Sequence, residues 1–284
     1  MNRIFLIAFC AFALSACVKN NPQPIYLNIS AWTLQANTDP TANDAGYLSH
    51  NFSDVWVYID NNLIGVFEVP CKIPVLVSGT NHVTLYPTIR NNGISASKKQ
   101  YPFVSSYNVT LETTPGGTYD IHPTTHYQTD TDFYIEDFEN NPISIQYVSG
   151  NALLDSEQDP NLAISGRYGH IHLDATHTSW WGKTPNTLLP GGGAAVYLEI
   201  DYRNTESVTT GTTIYTASGA TDNDNIKLNT QQASEVRWKK IYIELSEVIS
   251  NSTTATGFEQ YIRTTLSNTT GEADVYLDNI KIVY

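Results

Sequence analysis

Three histidines and an aspartate fall within eight residues in His170-Ile171-His172-Leu173-Asp174-Ala175-Thr176-His177. On a β-strand side chains alternate between faces, so His170, His172 and Asp174 project one way, about 7 Å apart, and Ile171 and Leu173 the other. Imidazoles at i and i+2 can converge on one zinc ion, whose Zn–N bonds are about 2.0–2.1 Å. Trp180-Trp181-Gly182 follows directly. Neighbouring tryptophans on a strand face opposite ways, one toward a core and one outward. A planar indole stacks on the C–H face of a sugar through apolar and π-type forces. Trp180 or Trp181 with Tyr168, His170 and His172 is therefore the candidate ligand-binding set, suited to a neutral glycan.

Other patterns that carry chemistry are missing or weak. Gly191-Gly192-Gly193 precedes a strand, not the helix N-terminus that a phosphate cradle needs. The chain has no Gly-x-Ser-x-Gly elbow, and a carboxylate pair such as Glu136 and Glu139 is too common to imply a glycosidase. The residues after His177 hold no further histidine, which disfavours a metal-dependent hydrolase. Among 284 residues, 28 Asp and Glu stand against 15 Lys and Arg, a net charge of −13. That sign repels phosphates and excludes nucleic acid as a partner.

The elements that must position these groups read as strands. Val55, Val57 and Ile59 alternate with Trp56 and Tyr58, and Asp60-Asn61-Asn62 turns the chain into a return strand, Leu63 to Val69. Val196, Leu198, Ile200 and Tyr202 repeat the period, as do Ile241, Ile243 and Leu245. Glu235 to Val248 reads as strand, because its apolar residues follow period two. In the last strand the phase passes from Val275 and Leu277 to Ile280 and Ile282, a slip at Asp278-Asn279 that predicts a β-bulge. The pattern divides the chain into 26–120, a Thr/Pro-rich linker at 121–132, and a second body at 133–284. All-β architecture follows.

Arg3 and the apolar run Ile4 to Leu14 form a secretory leader, 11 apolar residues being too few to span a bilayer. Its end, Leu14-Ser15-Ala16-Cys17, resembles the lipobox of bacterial lipoproteins. The resemblance implies that residues 1–16 are removed, that Cys17 carries the acyl chains, and that 17–25 is a short tether. With Val18 after the cysteine it also implies sorting to a Gram-negative outer membrane; the tether leaves periplasmic face and cell surface both open. Cys71 then has no intramolecular disulfide partner.

Residues 54–90 resemble PEGA-type modules, small Ig-like β-sandwiches, in the order strand, Asp-Asn turn, Gly65, proline crossover, Gly79 and His82-Val83-Thr84-Leu85. The second body resembles carbohydrate-binding and galactose-binding-like jelly rolls. Phe138-Glu139 after Glu136-Asp137, Arg237-Trp238-Lys239-Lys240-Ile241-Tyr242-Ile243 and Val275-Tyr276-Leu277-Asp278-Asn279-Ile280 carry that likeness. It implies a structural calcium where first and last strands meet, with Glu136, Glu139 and Asp278 as ligands by position. The histidine string also resembles the H-x-H-x-D-H box of the metallo-β-lactamase superfamily, but Ala175-Thr176 interrupt it. The expectation is a lipid-anchored, non-enzymatic module binding a glycan or an envelope protein partner. The alternatives are an accessory subunit of a secretion or gliding complex and, more remotely, a metal-dependent hydrolase.

Overall fold

The computed structural model describes residues 22–267 and 271–284; Cys17 and the leader lie outside the described residues. In chain order the first body holds β1 (Ile25–Ile29), β2 (Thr33–Leu34), β3 (Asp54–Ile59), β4 (Asn62–Glu68) and β5 (Cys71–Val75). It continues with β6 (Gly79–Arg90), β7 (Lys98–Gln100), β8 (Tyr107–Thr113), β9 (Thr118–Ile121) and β10 (Thr124–Thr125). One sheet runs β4-β3-β6-β7 with β8 also on β6, and a smaller one runs β5-β1-β9. Between them Ile25, Leu27 and Ile29 meet Val55, Val57, Ile59, Val83 and Leu85 in one core. The β3–β4 hairpin turns as its residue types demand: Asp60 and Asn61 take φ of 49° and 65°, the left-handed region that Asp and Asn tolerate.

Residues 121–132 carry more structure than their composition indicates. β10 pairs with β2, and Tyr127 is 3% exposed, edge-on to Phe133 at 5.1 Å. An aromatic ring in a connecting segment finds cover here, which a polar composition does not announce.

The second body comprises β11 (Phe133–Glu136), β12 (Gln146–Gly150), β13 (Asp155–Glu157), β14 (Tyr168–Leu173), β15 (Ser179–Lys183) and β16 (Tyr197–Asn204). Then come β17 (Val208–Thr216), β18 (Gly219–Leu228), β19 (Lys239–Glu244), a short helix α1 (Ser246–Asn251), β20 (Ala255–Thr265) and β21 (Ala273–Val283). Two sheets, β13-β14-β21-β16-β19 with β11 on β21, and β12-β15-β20-β17-β18, face one another as a jelly-roll β-sandwich. Ile171, Trp180, Leu198, Ile243, Ile262 and Ile280 fill the space between them. Of the segment 235–248, only Lys239–Glu244 is strand; Glu235 ends a 3-10 turn and α1 begins at Ser246, so the strand reading holds for its apolar middle only. Among the described residues no helix is long and apolar enough to cross a membrane.

The predicted bulge is present. Glu199 pairs with Lys281 and Asp201 with Asp278, leaving Ile200 opposite two residues, and Asn279 sits at φ 45°. Before the bulge Val275 and Leu277 face the core; after it Ile280 and Ile282 do.

Candidate functional site

The outer face of the β13-β14-β21-β16-β19 sheet is shared between two uses. Its half nearest the C-terminus is covered by the first body, whose core takes in Tyr197, Tyr242 and Val283. Charged groups of β16, β19 and β21 are buried in that junction. Lys240 Nζ lies 2.9 Å from Glu199 Oε2 and 3.8 Å from Asp201 Oδ2, and donates to Ser49 Oγ at 3.0 Å. Tyr101 and Tyr127 donate their hydroxyl protons to Glu199 at 2.5 and 2.9 Å. Burial alone would raise the Glu199 pKa, but Lys240, Lys281 and the Tyr101 hydroxyl outweigh it and hold it below the usual range. Burial likewise opposes the Lys240 charge, and Glu199 and Asp201 reverse that, leaving its pKa raised. These groups are spent on docking the two bodies.

The other half of the face is open. Register sets His172 of β14 opposite Asp274 of β21, and His170 opposite Tyr276. Asp274 Oδ1 is 2.9 Å from both His170 Nε2 and His172 Nδ1. On the far side of the His170 ring Nδ1 is 2.8 Å from Glu157 Oε1 of β13. Burial would lower the His170 pKa, but hydrogen bonds to Asp274 and Glu157 leave it raised; the His170 contact is the chief cause holding Asp274 below its usual range. Among the described residues this trio is the one group of three histidine, cysteine or carboxylate side chains whose ligand atoms all lie within 4.8 Å of each other.

Beside the trio runs an aromatic strip. The His170 ring stacks on Tyr276 at 4.5 Å and 11°. Tyr276 meets Tyr168 at 5.8 Å and Trp238 at 6.5 Å, and Tyr168 meets Trp238 at 6.2 Å. The Arg203 guanidinium lies 5.6 Å from the centre of the Tyr276 ring. Burial, then the Asp274 charge, pushes the Tyr276 hydroxyl up to about 12, so it stays a neutral donor at physiological pH. Trp238 is pinned by its indole N–H, which donates to the Leu162 carbonyl at 2.6 Å.

From Trp238 the surface drops into a cleft of about 530 Å³ between the two bodies. The first body supplies His50, Asn51, Arg90 and Ser95 to its lining, and the second supplies Trp238, Tyr202, Arg237 and Lys239. Burial, then the neighbouring Lys240 charge, lowers the His50 pKa. Arg90 is partly committed to Glu68 at 3.3 Å and Asp54 at 3.7 Å.

The sequence-based site set is therefore split. Tyr168, His170 and His172 share the open face just described, Tyr168 being buried beneath it. Trp180 is a core residue at 2% exposure. Trp181 is on the outer face of the opposite sheet, with Lys183 5.1 Å from its ring centre and Tyr261 edge-on at 5.9 Å. It cannot join a site with the histidines, because the whole sandwich lies between them. Asp174 and His177 close a local turn of their own, His177 Nδ1 lying 3.1 Å from Asp174 Oδ1.

Glu136, Glu139 and Asp278, expected to hold calcium, do not bring their oxygens within 4.8 Å of one another, and each is engaged by protein groups. Glu136 accepts from the backbone of Phe138 at 2.7 Å and from Ser144 at 2.5 Å, and Glu139 accepts from Arg167 N at 2.5 Å. Asp278 accepts from Asn279 N at 2.7 Å and leaves Oδ2 buried without a partner. Glu136 and Asp278 serve their own loops, and Glu139 ties its loop to the one that leads into β14.

Sequence reasoning missed Asp274, Glu157 and the role of Trp238. Asp274 and Tyr276 do alternate with Val275 and Leu277, so their outward direction was readable. Their position opposite His172 and His170 depends on which strands pair, and no local pattern encodes that.

No protein-family model and no curated protein matches the chain. Solved structures do resemble it. The carbohydrate-binding and glycoside hydrolase family 10 modules of a Clostridium thermocellum endo-1,4-beta-D-xylanase, complexed with xylohexaose, align over 52% of this chain at 11% identity and a TM-score of 0.37. The chain spans 28% of that protein's length. A family 30 carbohydrate-binding module of a Clostridium thermocellum cellulosomal cellulase matches with 15% identity, 52% of this chain, 95% of its own and a TM-score of 0.37. A family 29 carbohydrate-binding module complexed with mannohexaose gives 8%, 54%, 92% and 0.34.

Proposed function

We propose that the chain is a non-catalytic glycan-binding protein, held by acyl chains on Cys17 at an outer membrane. One observation carries the binding part: Trp238 lines the cleft of about 530 Å³ and also edges Tyr168 and Tyr276, so an aromatic surface runs from the cleft onto the open face. Small-ligand sites are concave and pair apolar walls with a few fixed polar groups. The apolar wall is supplied by Trp238, and Asn51, Ser95, Arg237 and Lys239 supply hydroxyl-matching donors and acceptors around it. The lining offers cations and amides, not the paired carboxylates of a glycosidase, which supports binding over hydrolysis.

Affinity electrophoresis of the full chain through gels containing soluble polysaccharides, followed by a glycan array, tests this. The wild type is expected to be retarded by at least one glycan class, and Trp238→Ala to lose at least tenfold in affinity with an unchanged far-UV spectrum. No retention of the wild type on any glycan, or equal retention of Trp238→Ala, overturns the reading. Mass spectrometry of the mature protein tests the anchor: an unmodified Cys17 sinks it.

A further inference from the structure

We infer that His170, His172 and Asp274 form a binding site for a zinc-class divalent cation. Such a site would hold its ion whether or not a glycan binds beside it. β14 projects both imidazoles from one face, and β21 brings the Asp274 carboxylate between them, 2.9 Å from His170 Nε2 and from His172 Nδ1. A tetrahedral zinc with bonds of about 2.0–2.2 Å separates its ligand atoms by roughly 3.3 Å. All three donor atoms already lie within 4.8 Å of one another, so rotamer adjustments of about an ångström complete the shell. Two imidazoles and one carboxylate match a borderline-soft cation, whereas calcium requires six to eight oxygens.

The surroundings are those of a metal site. Glu157 Oε1 takes the other ring nitrogen of His170 at 2.8 Å, the carboxylate–histidine relay that fixes the tautomer and strengthens a ligating imidazole. Stacking on Tyr276 at 4.5 Å fixes the ring plane. The backbone of Asp274 is held from both sides by Thr205, which accepts from Asp274 N at 2.8 Å and donates its own N–H to the Asp274 carbonyl at 2.8 Å. The His172 side chain is half exposed, which gives the ion an entry path and leaves room for a water as fourth ligand.

The competing arrangement is a charged His170 clamped between Glu157 and Asp274 with no metal. Isothermal titration of the chelator-stripped full chain with zinc chloride separates the two. The metal reading expects one equivalent of zinc per chain. His172→Ala and Asp274→Asn are each expected to weaken it at least about 100-fold, and Glu157→Gln, which touches only the outer shell, by about 10–100-fold. His172 is exposed, so its variant reports on binding without a folding loss. Zinc at well under one equivalent overturns the site, as does one equivalent that His172→Ala leaves unchanged. In the second case the ion sits elsewhere, with Asp174 and His177 as the next pair to test.

Discussion

Replacing Lys240 by methionine should expose how much the two bodies depend on their buried charges. Lys240 is 7% exposed and Glu199 fully buried, so truncating the cation leaves a carboxylate in a poorly solvated junction. Removing one partner of a buried pair destabilises by about 3–5 kcal/mol, mainly because the remaining charge is unpaired. Here the lower end applies, because the Tyr101 and Tyr127 hydroxyls still donate to Glu199 at 2.5 and 2.9 Å. At about 2–4 °C per kcal/mol for chains of this size, a loss of about 3 kcal/mol lowers Tm by roughly 6–12 °C.

Thermal unfolding of the full chain, followed by near-UV circular dichroism at pH 7, measures that loss. A Lys240→Met/Glu199→Gln double variant should be less damaged than the two single changes summed, by at least about 1 kcal/mol, since the groups touch. A pH series adds a signed check. Lys240 is the largest influence holding the Glu199 pKa down, so its removal should raise that pKa relative to wild type, and the variant's stability deficit should shrink as pH falls through the carboxylate range. A Lys240→Met protein within about 0.5 kcal/mol of wild type, the range of ordinary surface substitutions, would refute the account.

Four further outcomes follow. Burial, then the charges of Asp201, Asp137 and Glu139, pushes the Asp278 carboxyl up to about 8 against 3.8 unfolded. The native state holds that proton longer, so stability should fall between about pH 4 and 8; Asp278→Asn should flatten the fall and exceed wild type in Tm at pH 8 with chelator present. Addition of calcium should move the wild-type Tm by less than a degree, and a larger rise would show that the three carboxylates gather around the ion after all. At the β3–β4 turn Asn61 sits at φ 65°, so Asn61→Ala should cost about 1–2 kcal/mol in denaturant unfolding while Asn61→Gly stays near wild type. Burial raises the Cys71 thiol pKa, so alkylation at pH 8 should be slow in the native chain and fast in denaturant, and equal rates would count against its packed position.

The fold was legible wherever one sheet face is apolar and the other polar. Val55, Val57 and Ile59 gave β3, and the phase slip near Asp278 located the bulge to the residue. Burial of the outer face was not legible. Tyr197, Glu199 and Asp201 alternate with core residues and so face away from the sandwich core, yet all three are buried because the first body covers them. Half of the site was visible in the i, i+2 spacing of His170 and His172. Asp274, 102 residues further on, enters only through strand pairing. Trp180 and Trp181 drew attention by being adjacent, and adjacency itself separates them, one into the core and one onto the far sheet. Trp238 stands alone, and what places it is the cleft made by two bodies meeting.

That meeting depends on the bulge in β21. Up to Leu277 the even positions face outward, which sets Asp274 and Tyr276 on the open half of the sheet. Had the alternation continued, Ile280 and Ile282 would face the first body, and Lys281 and Val283 the sandwich core. The extra residue at Asn279 reverses the phase. Lys281 then reaches the carbonyls of Ala45 and Tyr47 in the first body, and Val283 enters that body's core. One strand thus carries two kinds of surface on one face, the open polar groups before the bulge and the docked ones after it. Because the docked body stops at the bulge, its edge becomes the wall of the cleft beside Trp238. The polarity of the open half is then what a sheet surface requires when a neighbour covers only part of it, and it supplies the groups of the proposed glycan surface and the proposed metal site.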